Sequence, residues 1–146
     1  MSVKNYLLSD LSKGQIESIW TKITIEDVNA FAALSGDNSP VHLSDEFAVK
    51  KALPGRIAHG LLIGARVSSL IGNFLPGAFG ILQSFDIEFR SPLVPPQEIQ
   101  IQGEVTNISE GTGQVSLSII VTASGKLIAK CKAKTIVSLG TQTANI

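Results

Sequence analysis

The stretch "HGLLIGARVSSLIGNFLPG", residues 59–77, constrains the fold of this chain more than any other. A helix drawn through it is apolar on nearly every side, interrupted by Arg66 and Asn73 and stopped by Pro76-Gly77. A helix of about 15 residues without a clear polar face has to be covered by other structure. It is too short and too polar to span a bilayer, which needs about 20 predominantly apolar residues. The covering layer follows directly. "FGILQSFDIEFRSPL" (79–93) sets Phe85, Ile87 and Phe89 on one face, with Asp86, Glu88 and Arg90 opposite. "EIQIQGEVTNI", "GQVSLSIIVTA" and "KLIAKCKAKTIVSL" continue the alternation, joined by "SEGTG" and "SG" (124–125) as hairpin connections. Near the start, "GQIESIWTKIT" has apolar residues at 16, 19, 20 and 23, a poor fit to either period, and is read as a first strand. One long buried helix against an antiparallel sheet of about five strands is an α+β layer architecture.

Shorter helices precede the long one. Thr24 opens "TIEDVNAFAALSG", where Asp27 three residues on makes a weakened capping box, and the helix should end near Ser35-Gly36. "LSDEFAVKKAL" reads as a short helix capped by Ser44 and closed by Pro54-Gly55. Between them lies the polar octapeptide "SGDNSPVH" (35–42), expected to be irregular because Pro40 pushes Ser39 towards extended backbone. With 146 residues and no repeat, low-complexity tract or linker, residues 1–146 are expected to form a single domain.

Twelve basic and twelve acidic residues give no net charge, which argues against nucleic-acid or membrane-surface binding. The single cysteine, Cys131, cannot form an intramolecular disulfide and suits a reducing compartment. "MSVKNYLLSDLSKGQ" lacks the apolar core of a signal peptide. These features together predict a soluble cytoplasmic protein.

The octapeptide places Asp37 and His42 five residues apart, with Pro40 stiffening the chain between them. A neutral imidazole accepts a proton near pH 7, and a carboxylate beside it orients a water or stabilises the imidazolium. Taken locally, the plainer reading leads: Asp37 and Asn38 as turn and cap residues, His42 as a satisfied surface histidine. His59-Gly60 stands where the long helix begins, and free N–H groups there suit a developing oxyanion. Local chemistry again favours the plainer account, in which His59 caps or packs and Gly60 permits close approach. Lys130, Lys132 and Lys134 alternate on one strand face, normally a solvated one, though an anionic cofactor could meet them. Two histidines with no Cys/His cluster beside them do not make a zinc site, and no metal is expected. "GLLIG" and "GTGQ" lack the spacing of a phosphate loop. No Gly-x-Ser-x-Gly elbow occurs, and Cys131 lies mid-strand, so a nucleophilic mechanism has little support.

Taken together, "FAALSGDNSPVHLSDEFA", "GRIAHGLLIGARVSSLIG" and "LPG" resemble the (R)-specific enoyl-CoA hydratases, or MaoC-like dehydratases. That family's pattern runs Phe-Ala-x-x-Ser-x-Asp-x-Asn-Pro-x-His, then a short acidic helix, then Ile-x-His-Gly and a buried helix. The likeness is close over about residues 20–95 and holds in pattern only beyond. It implies a hot-dog fold, a sheet wrapped around a central helix, generally dimerised sheet edge to sheet edge. It implies Asp37 and His42 as the catalytic pair, the Gly60 N–H as oxyanion donor, and Ser68 in support of the site. One position departs: Ser39 and its single hydroxyl stand where the family has asparagine.

The function so implied is reversible hydration of a trans-2-enoyl thioester to the (R)-3-hydroxyacyl thioester, a hydro-lyase reaction. Neither metal nor redox cofactor enters it; coenzyme A or acyl carrier protein is only the handle of the substrate, and a homodimer is the expected unit. Two alternatives stand beside it. A hot-dog thioesterase would send water to the carbonyl instead of C3. A non-catalytic acyl-binding module would have no use for an intact Asp37–His42 pair.

Overall fold

In the computed structural model, which describes residues 2–137, the chain opens with a short 3₁₀ turn at Leu8–Asp10. Strand β1 (Ile16–Ile23) follows, then α1 (Ile25–Ser35), α2 (Pro40–Leu43), α3 (Asp45–Lys50) and the long α4 (Gly60–Asn73). The remaining chain is β2 (Gly80–Phe89), β3 (Gln97–Ser109), β4 (Gln114–Ala123) and β5 (Lys126–Val137). The strand expected over 126–139 is thus seen to Val137, and its last two residues lie outside the described residues. Five antiparallel strands form one sheet in the order β1-β3-β4-β5-β2, with β1 and β2 at its edges. The α+β architecture expected of the chain, a sheet wrapped on one helix, is the architecture it has.

Alternation does the wrapping. Ile99, Ile101 and Val105 on β3, Leu117, Ile119 and Val121 on β4, and Ala129, Cys131 and Ala133 on β5 are buried. Against them α4 buries Leu62, Ile63, Val67, Leu70 and Ile71. Burying each such side chain contributes about 1.5–3 kcal/mol, more than the helix loses through its glycines and β-branched residues, at most about 1 kcal/mol each. Tertiary burial therefore decides that this segment is helical.

The expectation of a helix covered on all sides needs correction. Leu61, Ala65, Ser68 and Gly72 form an exposed stripe, with Leu61 64% exposed. Within one chain the sheet covers only part of α4, and the apolar residues left over face outward beside β2. The short helices behave as their caps dictate. Thr24 Oγ1 accepts the Asp27 N–H at 3.1 Å while the Asp27 carboxylate accepts the Thr24 N–H at 2.9 Å. Gly36 ends α1 in the left-handed region, φ 76°, where a side chain would be strained. Asp27 also pairs with Arg66 at 2.9 Å, pinning α1 to α4.

Candidate active site

The octapeptide is more ordered than its sequence promised. Ser35 Oγ donates to the Phe31 carbonyl at 2.7 Å and accepts the Asp37 N–H at 3.1 Å. Asp37 Oδ1 accepts the Ser39 N–H at 3.1 Å, closing a turn. The Asp37 carbonyl accepts from His59 Nε2 at 2.9 Å. Three of the four polar atoms of Asp37 are thereby held, and Oδ2 is left to meet a ligand. The expectation that this backbone is irregular fails after Ser39: Pro40 occupies the first position of α2, and the Ser44 N–H closes the turn on the Pro40 carbonyl at 2.9 Å. Proline's fixed φ and missing N–H suit a helix start, which outweighs its disruption of the residue before.

His42 rides on that turn. Its ring nitrogen Nδ1 lies 2.8 Å from the Ile57 carbonyl. A carbonyl only accepts, so this contact assigns the proton to Nδ1 and leaves Nε2 as the basic nitrogen. The second histidine, 17 residues on, packs against the first. The His42 and His59 rings are stacked, 3.8 Å between centroids and 27° between planes. One ligand atom from each of Asp37, His42 and His59 lies within 4.8 Å of the others. The histidines that seemed isolated in sequence are thus neighbours in space. Their residue types would suit a metal, but one nitrogen of each ring is engaged by a carbonyl. The free nitrogens lie in nearly parallel planes, a poor arrangement for converging on one ion. The geometry suits a water between a base and a carboxyl group better.

Gly60 begins α4, so its N–H has no carbonyl four residues back within the helix, while the N–H groups of Leu62 and Ile63 turn to His59 O at 3.1 and 3.4 Å. A cavity of about 410 Å³ is lined by His42, Gly60, Ile57, Ile63, Phe89 and Leu93, among others. Imidazole and helix start therefore meet in one largely apolar pocket, with the half-exposed Phe89 ring forming one wall.

Ser68 is not brought to this group. It lies on the exposed stripe of α4, two turns or about 12 Å along the axis from Gly60, and does not line the cavity. Lys130, Lys132 and Lys134 are exposed on the outer sheet face, in register with Glu88, Asp86 and Ser84 of β2. Cys131 is buried, and burial followed by the nearby Asp86 charge pushes its thiol up to about 12, which makes it a poor nucleophile.

Two contributors are not read as site residues from the sequence, Ser35 and His59. Ser35 looks like the end of a helix. His59 reads only as a capping or packing residue; its side chain makes no cap hydrogen bond, and its partners lie far back in the chain.

A family model described as "MaoC like domain" matches residues 10–125. The 3-hydroxybutyryl-CoA dehydratase of Methylorubrum extorquens is 34% identical over 99 residues, covering 68% of this chain and 63% of that protein. The (R)-specific enoyl-CoA hydratase of Aeromonas caviae is 32% identical over 119 residues, 82% of this chain and 89% of that protein. Among solved structures, the unliganded R-hydratase of Pseudomonas aeruginosa is similar with a TM-score of 0.88 and 28% identity, covering 99% of this chain and 95% of that one. No helix among the described residues is long and apolar enough to cross a membrane.

Proposed function

The chain belongs to the MaoC-like dehydratase family, and on that premise we propose that it is a hydro-lyase adding water reversibly to a trans-2-enoyl thioester to give the (R)-3-hydroxyacyl thioester. The observation that carries this reading is a convergence. The unengaged Nε2 of His42 and the start of α4 at Gly60 share one apolar cavity, with the Asp37 carboxyl group beside His42.

The thioester carbonyl oxygen would accept the Gly60 N–H, drawing electrons away from C3. A water between Asp37 and His42 gives a proton to His42 Nε2 as its oxygen bonds to C3. The displaced π electrons pass through C2 to the carbonyl oxygen. The proton on His42 passes to the Asp37 carboxylate, and C2 takes it from Asp37 on the same face. One water has been added and both side chains are restored. The apolar wall of Ile63, Phe89 and Leu93 would hold the acyl chain. Coenzyme A or acyl carrier protein serves as the carrier, and neither metal nor redox cofactor has a part in these steps. We read a second copy of the chain as the partner, since β2 presents an unpaired edge beside the exposed stripe of α4.

The test is incubation with crotonyl-CoA. Loss of the conjugated enoyl absorbance with formation of (R)-3-hydroxybutyryl-CoA is the expected result. Release of free thiol without hydration would replace this reading with a thioesterase.

A further inference from the structure

We propose that His59 is a positioning residue for this reaction, holding Asp37 and His42 in mutual register through one hydrogen bond and one ring contact; the inference rests on the hydratase reading above. Its side chain does not reach solvent: the residue is only 2% exposed, and Nδ1 is buried without a hydrogen-bond partner. The other nitrogen, Nε2, meets the Asp37 carbonyl at 2.9 Å. If the proton sat on Nδ1, a buried N–H would be orphaned and a lone pair would face a carbonyl oxygen. The arrangement therefore assigns the proton to Nε2, the opposite tautomer from His42. One ring face lies on His42 at 3.8 Å, and Phe31 lies 5.0 Å from the His59 centroid at a tilt of 58°. The side chain thus touches the backbone of one member of the catalytic pair and the ring of the other.

Stability does not call for an imidazole here. A buried nitrogen without a partner carries its full desolvation cost, which an apolar ring of similar shape would avoid. What an apolar ring cannot do is donate to Asp37. The Asp37 carbonyl would then be free to turn, taking its carboxyl group off the water shared with His42. A misplacement of about 1 Å can cost about 10²-fold in rate.

His59→Phe keeps the stack and removes the N–H, whereas His59→Gln keeps a donor within possible reach of the carbonyl and removes the ring. His59→Phe is expected to melt at or above the wild-type temperature and to lower kcat about 10- to 100-fold, with KM changed less than about threefold. His59→Gln is expected to recover part of kcat. A purely packing role would leave kcat unmoved in the stable Phe variant. In the unaltered protein, ¹⁵N NMR of the imidazoles should place the His59 proton on Nε2, slow to exchange, and the His42 proton on Nδ1. A folded His59→Phe variant turning over crotonyl-CoA at the wild-type rate, or a His59 proton found on Nδ1, overturns this proposal alone. Failure of the wild-type protein to hydrate any enoyl thioester overturns the hydratase reading, and this proposal with it.

Discussion

The ring of Phe89 lies so close over Gly60 that a β-carbon there would stand 2.5 Å from its Cζ and 2.8 Å from its Cε2. Glycine at the start of α4 thus leaves room for an aromatic wall of the cavity and, in the proposed mechanism, for the substrate carbonyl. Gly60→Ala should push the ring towards the reacting groups while costing little stability, because alanine is the better helix former. We expect kcat/KM for crotonyl-CoA to fall about 10- to 100-fold, and Phe89→Leu to restore part of it. Strictly additive effects in that double-mutant cycle would count against steric coupling. Gly60→Pro, the direct way to delete the N–H, meets the same ring and is clean only alongside Phe89→Leu. In that background it should cost a further 10²- to 10³-fold or so in kcat.

Asp37→Asn and His42→Ala should each lower kcat by about 10²- to 10⁴-fold, and the double variant little further, because in the proposed mechanism one water needs both groups. Neither side chain fills the core: Asp37 is exposed, and His42 is half-buried with a single hydrogen bond to Ile57. The stability loss should stay near about 1 kcal/mol in urea titrations. Near-normal turnover in either variant would show that the pair is misassigned.

Ser39 marks the departure from the family's asparagine, and the structure locates the bracing elsewhere. No hydrogen bond is made by the Ser39 hydroxyl among the described residues; its backbone N–H is what holds Asp37 Oδ1. Ser35 contributes through its side chain, which receives the Asp37 N–H. Ser35→Ala should therefore slow hydration several-fold, and Ser39→Ala should leave kcat nearly unchanged. Ser39→Asn should alter kinetics more than melting temperature, since the added amide lies beside Asp37 in a loop. Equal kinetics for all three variants would place the bracing in backbone geometry alone.

Why some of this was legible in sequence and some was not comes down to range. The inward alternation of β3, β4 and β5 is a local pattern, and the Thr24–Asp27 box spans one helical turn, so both could be read directly. β1 was obscured because Glu17, tied down by Lys4 and Tyr6, shares a side of the strand with Ile19 and Ile23 while Trp20 points outward. Local chemistry left Asp37, His42 and Gly60 with a plainer reading, and the family resemblance raised them to candidates. The stack on His42 and the contact with the Asp37 carbonyl join His59 to residues 17 and 22 positions away. No local periodicity encodes such contacts.

The Asp27 carboxyl group is held below its usual range, first by the Thr24 N–H and then by the Arg66 charge, against a desolvation that acts the other way. A carboxylate depressed in the folded state adds stability above its unfolded pKa, near 3.9, and that stability is lost as pH falls through the lower folded value. Asp27→Asn should therefore destabilise the protein at pH 7, by about 0.5–2 kcal/mol if the cap is the main loss. The difference from wild type should begin to shrink as pH falls below about 4 and should be smallest below the lowered folded value, where both carry an uncharged side chain. Urea midpoints across pH 2.5–7 measure it; a gap independent of pH would exclude a charge contribution.

The outward side of α4 makes the sharpest demand on assembly. Leu61 is 64% exposed, and Ala65, Ser68 and Gly72 continue the stripe with small side chains that allow another surface to come close. β2 runs alongside, its Phe85 and Ile87 within van der Waals reach of a β-carbon on Gly64, and its free edge exposes Ile81 at 72% and Leu82 at 42%. An unpaired edge beside such a stripe is a liability that the proposed two-fold partner would remove, by pairing β2 with its copy. The cavity at Gly60 opens at the same end of α4 as Leu61, so assembly and activity should be linked. Ala65→Arg places a charge in the centre of the stripe, where a lone chain would tolerate it in water and a dimer would have to bury it. Sedimentation should then change from dimer to monomer at micromolar concentration, with circular dichroism unchanged and hydration largely lost. Lys126→Glu, exposed at the start of β5, should leave both intact. A fully active wild-type monomer, or an Ala65→Arg variant still dimeric and active, would remove this face from the assembly.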